Sequence, residues 1–581
     1  MSDTRSKVRD GMKIDWNVKI KMDDGIELSA DIFRPNEEGK YPVIMSHGAY
    51  AKGLSFQEGF PSAWNTMVSN HPDIPYGSSN KYQNWEVVDP EKWVPDGYVV
   101  IRVDSRGAGR SPGQMNNRSL QETKDFYQCI EWAAKQPWSN GKVGLNGISY
   151  YAINQWQVAS LQPPHLAAIC VWEGFIDHYR DAAYHGGIYN TMRGNYQSTT
   201  SRVQYGVGEL GPRSKVTGDL VCGDETFSEK ELLNNRSNIH ESILNHPLDD
   251  DFHKDRSGKY DKIKVPLLSA GNWGGQGLHL RGNVEGFIRA ASKEKWLEMH
   301  GLEHWTHFYT DYGVDLQKRF FGHFLKGEDT GWDKQPPIQL QVRHVGEKFV
   351  KRHENEWPLA RTNWTKFYLH PADNELKTET SGDNAKLEFD AQVDGLTFVS
   401  APLEKETEIT GPLAAKLFVS SSTTDADLFL VFRVFTPDMR EVTFHGAIDP
   451  HTPIAQGWLR ASHRKLDPEL SEIYRPYHTH DEKQPLKPGE PVELDIEIWP
   501  TCIVIPAGYR IALSVRGKDY IFAEHTGAKE SNFKNELLGC GPFLHNDPRD
   551  RKSDIFNGKT TIHFSEDMQP YVLVPIVPEK G

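Results

Sequence analysis

The sequence predicts a mostly parallel β-sheet with flanking helices, interrupted by a helical insertion and followed by a β-sandwich, on three observations. The opening third alternates short apolar runs with helical stretches, the pattern of a parallel sheet covered by helices. After about residue 178 the text becomes mixed, polar and Gly-containing, and a strand-like run resumes only near 262. Beyond about 336 helix signals nearly vanish and short alternating runs dominate, as in a β-sandwich of jelly-roll type. The expected division is a core in two pieces, 1–177 and 262–335, an inserted helical cap at 178–261, and a sandwich at 336–581.

Taken in order, the predicted core strands are Tyr41 to Met45, Tyr98 to Val103, Lys142 to Leu145, Leu166 to Val171 and Val265 to Ala270. Most are followed within a few residues by Gly, Asp or Ser, where the carboxyl ends of parallel strands carry catalytic loops. Leu316 to Leu325 has helical apolar spacing and leads into the Pro- and charge-rich boundary Gly331 to Pro337. The sandwich strands are Ile338 to Val342, Lys366 to Leu369, Ala414 to Val419, Leu428 to Val434, Val492 to Trp499 and Tyr509 to Val515.

A chain of 581 residues is long enough for two to four domains. Its net charge of -14 leaves no diffuse basic surface for phosphate neutralisation, so nucleic acid is excluded as a partner. Met1 to Lys7 has no apolar signal region, and no run of about 18 apolar residues suits a membrane span. The five cysteines are far apart and odd in number, with no C-x-x-C pair, which argues for buried thiols rather than disulfides or zinc. A cytoplasmic location is expected.

Four G-x-S triplets place serines at Ser55, Ser79, Ser111 and Ser149, so the triplet alone selects nothing. Only Ser149 follows a short apolar run, Lys142 to Leu145, and precedes a breaker-free helical stretch, Tyr150 to Leu161. That is the strand, sharp turn and helix of a nucleophile elbow in an α/β-hydrolase core. A strained elbow lifts the serine Oγ above the sheet beside a helix N-terminus, where an oxyanion is stabilised. On local sequence alone, a plain helix N-cap explains Ser149 equally well.

Wider sequence breaks that tie. Gly147-Ile148-Ser149-Tyr150-Tyr151-Ala152 resembles the G-x-S-Y-x-G elbow of the cocaine-esterase and X-prolyl dipeptidyl-peptidase (CocE/NonD) family, with Ala152 in place of the last Gly. Asp104-Ser105-Arg106-Gly107-Ala108-Gly109-Arg110-Ser111-Pro112-Gly113 is similar to that family's D-x-R-G-x-G-x-S-x-G segment. The resemblance runs from Pro42 to the late strands between Glu493 and Val515, and implies a hydrolase core, a helical cap and a jelly roll.

Serine needs a base, and in this fold the base follows the acid along the chain. His304 fits, just past the strand-like Lys295 to Met299, where the resemblance also implies a histidine loop. His300 to His304 also reads H-x-x-E-H, a zinc motif when helical, but Gly301 after a strand-like run predicts a loop, so no metal is expected. The family's Asp is missing from Gly271-Asn272-Trp273-Gly274-Gly275-Gln276. Glu173, at the carboxyl end of Leu166 to Trp172, is the substitute acid, with Asp177 and Asp181 in the same loop as alternatives. For the oxyanion, the Tyr150 N–H is one donor. The resemblance implies a tyrosine hydroxyl as the other, which falls on Tyr50, although His47-Gly48 can also start a backbone oxyanion loop. Trp172, His178, Tyr184, His185 and Trp273 are expected to make an aromatic substrate pocket.

The expected function is a cofactor-free serine hydrolase that cleaves a small-molecule ester or amide through an acyl-enzyme. An acyltransferase using the same intermediate, an X-prolyl-type peptidase, and an inactive core carrying a binding module are the alternatives. Self-association into a homo-oligomer stays open.

Overall fold

A computed structural model describes residues 5–527 and 536–578. The sheet of the first half is built from β1 (Arg5–Arg9), β2 (Met12–Lys21), β3 (Glu27–Pro35), β4 (Tyr41–Gly48), β5 (Val99–Asp104), β6 (Ser139–Ile148), β7 (Leu166–Trp172), β8 (Leu267–Asn272) and β9 (Lys295–His300). Its spatial order is β1-β2-β3-β5-β4-β6-β7-β8-β9. The pairings β1–β2, β2–β3 and β3–β5 are antiparallel, and all the rest are parallel. Central strands such as β5 are buried along their whole length, which is why they appear as unbroken apolar runs rather than alternating ones. Helices α1 (Leu120–Ala134), α2 (Tyr150–Ala159), α3 (Leu280–Arg289) and α4 (Asp311–Phe321) flank the sheet. Among the described residues no helix is long and apolar enough to cross a membrane.

Between β7 and β8 the chain forms short helices, such as Glu229–Asn234 and Ile239–Leu244, and one small hairpin, Tyr184–His185 with Ile188–Tyr189. The C-terminal region is rich in antiparallel strands. One run of pairing joins Asn363–His370, Tyr571–Val577, Thr407–Ser421 and Val492–Ile505, and a second joins Ala455–Arg460, Asp427–Phe435, Arg510–Arg516 and Leu396–Ser400. Their apolar side chains, among them Leu417, Leu430, Phe432, Ile496 and Leu513, form one buried cluster.

The sequence puts Ile338 to Val342 with the sandwich strands. The strand there, β10 (Ile338–His344), instead continues the first sheet: it runs parallel to β9 and antiparallel to β11 (Lys348–Glu354), touching the C-terminal strands at one pair, His344 with Val504. Alternation identifies a strand but not the sheet it joins, because either edge satisfies the same hydrogen bonds.

Candidate active site

Ser149 follows β6 and caps α2 with φ 54° and ψ -111°, a conformation that costs an L-residue about 1–3 kcal/mol. Its N–H is held by the carbonyls of Trp172 and Glu173 at 3.2 and 3.1 Å, and the Ile148 N–H by the carbonyl of Glu86 at 2.9 Å. Gly147 is required, since a Cβ there would lie 2.5 Å from the Cβ of Tyr151. Ala152, the departure from the family pattern, is matched by another glycine: a Cβ on Gly174 would sit 2.6 Å from the Ala152 methyl. A methyl gained on the helix is offset by one absent from the loop after β7.

The hydroxyl of Ser149 bonds an imidazole that the sequence did not single out. His279, the residue before α3, lies 3.1 Å from Ser149 Oγ through Nε2, while its Nδ1 accepts the Phe175 N–H at 3.1 Å. With Nδ1 used as an acceptor, the neutral ring carries its proton on Nε2 and donates it to the serine oxygen. Burial, reinforced by the charge of His304, holds the His279 imidazolium well below the usual histidine range, so the neutral form persists. Its ring stacks on Phe175 and, with centroids 5.2 Å apart, on His304.

His304 arrives from the loop after β9 and faces the same cavity. Its Nδ1 lies 2.6 Å from Glu173 Oε2 and its Nε2 3.1 Å from Glu86 Oε1. Burial opposes its charge, but Glu173 and Glu86 outweigh burial and push His304 up to about 10. Glu173 stays below the usual carboxylate range: burial would raise it, and His304 and His300 overcome that. Burial pushes Glu86 up to about 7 against the pull of His304. Among the described residues neither the Asp177 nor the Asp181 carboxylate is hydrogen-bonded to an imidazole, and only the Asp181 backbone carbonyl meets one, His185 Nε2 at 3.1 Å. Asp177 caps the turn at Tyr179 and Arg180 and pairs with Arg180, while Asp181 accepts the amides of Ile176 and Asp177 and pairs with Arg281.

Tyr50 borders the cavity, and its hydroxyl accepts a hydrogen bond from Tyr196 at 3.0 Å, leaving its own proton to donate. Burial pushes Tyr50 far above the usual phenol range, so it stays a neutral donor. The Tyr150 N–H is in the first turn of α2, where amides lack intrahelical acceptors. The Tyr150 hydroxyl points elsewhere, to Glu122 at 2.6 and 2.8 Å.

The expected substrate pocket needs correction. None of Trp172, His178, Tyr184, His185 and Trp273 lines the cavity at Ser149. Trp172 stacks on His300, His178 bonds His253, Tyr184 bonds the Ile243 carbonyl, His185 bonds His545, and Trp273 bonds the Gln341 carbonyl. Packing and internal hydrogen bonds consume these side chains. The cavity is walled instead by Tyr50, Phe60, Trp85, Met192, Tyr196, Leu278 and Trp305, with Ala447, Ile448 and Phe543 reaching in from the C-terminal region. The carbonyl of Ala447 also accepts the His304 N–H at 2.9 Å.

The H-x-x-E-H run is the end of β9 and a turn, with Leu302 at φ 67°. Both of its imidazoles address Glu173, His300 through Oε1 at 2.9 Å and His304 through Oε2.

Residues 24–309 match the family described as X-Pro dipeptidyl-peptidase (S15 family), and 330–572 match the X-Pro dipeptidyl-peptidase C-terminal non-catalytic domain. A CocE/NonD family hydrolase from Staphylococcus aureus is 31% identical in sequence, with a TM-score of 0.85 over 100% of this chain and 97% of that one. Cocaine esterase from Rhodococcus sp. is 23% identical over 87% of this chain and 90% of its own. An aminopeptidase from a Thaumarchaeota archaeon shares the fold, with a TM-score of 0.66 at 14% identity over 99% of this chain and 96% of that one.

Proposed function

The chain belongs to the CocE/NonD family of hydrolases, serine enzymes acting on ester or amide bonds, and we propose that it does so with Ser149 as nucleophile, His304 as base and Glu173 as acid. The observation that carries this reading is the left-handed backbone of Ser149 at a strand-to-helix turn, in a cavity shared with an imidazole that a buried carboxylate grips.

The assignment of the base rests on tautomers. His279 donates to Ser149 Oγ and in that state cannot take a proton from it. The serine proton is therefore left for His304, whose Nδ1–H is fixed by Glu173 as a triad requires. Before attack the Nε2 proton of His304 passes to Glu86, whose carboxyl burial pushes up to about 7, and as Oγ attacks the substrate carbonyl the serine proton passes to the freed Nε2. The Tyr50 hydroxyl and the Tyr150 N–H hold the tetrahedral oxyanion. His304 then protonates the departing alcohol or amine, and water retraces the path to free the acid. His279 keeps the nucleophile aimed throughout.

The aromatic walls suit a small, largely apolar ester or amide. X-prolyl-type peptidase action is a second reading, favoured by one observation: Glu86 Oε2 is buried with no hydrogen-bond partner among the described residues, and a substrate ammonium would pair with it. The C-terminal strands are read as a jelly roll and the helices of 178–261 as a cap. The five buried, unpaired cysteines support a reducing cytoplasmic location.

The test is Ser149→Ala. Hydrolysis of aryl esters should fall by about 10⁶-fold and labelling by a fluorophosphonate should vanish, with the fold retained. Turnover near wild type would refute the assignment, and ester formation with added alcohol would identify acyl transfer instead of hydrolysis.

A further inference from the structure

Behind Glu173 lie two further buried charges, His300 and Glu298, that the reaction as described does not use. Glu298 Oε2 is 2.7 Å from His300 Nδ1, and His300 Nε2 is 2.9 Å from Glu173 Oε1. The other oxygen of Glu298 accepts the Tyr312 hydroxyl at 2.7 Å. His300, Glu173 and Glu298 are each at most 1% exposed, and His300 does not line the cavity. Both of its ring nitrogens face carboxylates, which only accept, so satisfying both bonds requires two N–H groups and an imidazolium.

We propose that His300 is a positioning residue for hydrolysis, gripping the far oxygen of Glu173 so that the near one stays aimed at His304. The inference rests on the reading of Glu173 as the acid. A glutamate has one more rotatable bond than the usual aspartate, and an acid that has moved to the preceding strand needs anchoring from behind. His300 and Asn272, at 2.9 and 3.2 Å, both donate to Oε1, leaving Oε2 to His304. The H-x-x-E-H spacing, which brings two imidazoles to a metal on a helix, here brings them to the two oxygens of one carboxylate.

The groups around His300 support its charge. Burial opposes it, but Glu298 and Glu173 push it up to about 9. Trp172 stacks on the ring, and His307, at its edge with centroids 5.5 Å apart, is itself lowered to about 3 by burial and by His300. His304 lies across Glu173. The His300 charge therefore opposes a second charge on His304 and holds that base weaker than Glu173 and Glu86 alone would make it.

Two variants separate the roles. His300→Gln keeps a donor near the Nε2 position without the charge, so plateau kcat should stay within about threefold of wild type. The acid limb of the pH profile of kcat/KM should then move up by about one pH unit, because His304 loses a cationic neighbour. His300→Ala loses the grip as well, and kcat should fall by about 10²-fold with KM little changed. Circular dichroism and fluorophosphonate labelling of Ser149 establish that each variant is folded. If both are folded and labelled yet keep the wild-type kcat and pH profile, the proposal is overturned. Wild-type activity in Glu173→Gln would instead overturn the reading on which it rests, so the two failures are told apart.

Discussion

Two neighbouring loops each bring one imidazole to the cavity, and they treat it in opposite ways. The loop after β8 sets His279 against Phe175 of the loop after β7, whose backbone amide and aromatic face leave its ring neutral and a donor. The loop after β9 sets His304 between two carboxylates, where its protonated form is strongly favoured. The rings are nearly parallel and 5.2 Å apart, so position in the cavity does not separate them. What each nitrogen is bonded to separates them, and a pair of environments that push two titratable groups apart is how acid, base and positioning roles are divided.

The comparison breaks hardest at Glu173. Glu173→Gln leaves the shape but removes the anion that fixes the His304 tautomer, and kcat should fall by about 10⁴-fold. A loss smaller than tenfold in steady-state assays would make the two loops equivalent and move the acid elsewhere. Next is Tyr50, the proposed oxyanion donor: Tyr50→Phe should cost about 10²–10³ in kcat, with KM little affected, in ester hydrolysis. If KM alone rises, Tyr50 only packs against substrate.

The smallest effect sharpens the contrast. Glu86 stabilises the protonated form of His304, so Glu86→Gln should make the imidazolium easier to deprotonate. The acid limb of kcat/KM then moves down by about one pH unit, and the variant gains relative to wild type at neutral pH. A limb that moves up, or stays in place, would show that Glu86 does not govern the base.

The elbow and the His304 loop were legible because each is tied to an element boundary. A strand run, a breaker and a helix frame Ser149, and a strand end precedes His304. Glu173 was legible for the same reason, at the end of β7. His279 was not: it enters a helix from a Gly-rich loop, in Gly277-Leu278-His279-Leu280, and nothing local distinguishes it from an N-terminal helix residue. Glu86 comes from the long segment between β4 and β5 and sits at φ 62°, where no periodic signal exists. The aromatic pocket failed for a related reason. Trp172, His178, Tyr184, His185 and Trp273 flank the site in sequence, but folding turns them inward to partners that sequence does not display. The walls come from Phe60, Trp85, Tyr196 and the distant Ile448 and Phe543. The fold was legible in its strands and less so in its sheets, as β10 joining the first sheet shows.

The central claim is that His304, not the histidine touching Ser149, is the base. Stopped-flow acylation by an aryl ester, measured for His304→Ala and His279→Ala side by side, tests it most directly. The account predicts a loss of about 10⁴-fold or more for His304→Ala against about 10²-fold for His279→Ala. A larger loss in His279→Ala than in His304→Ala would contradict it.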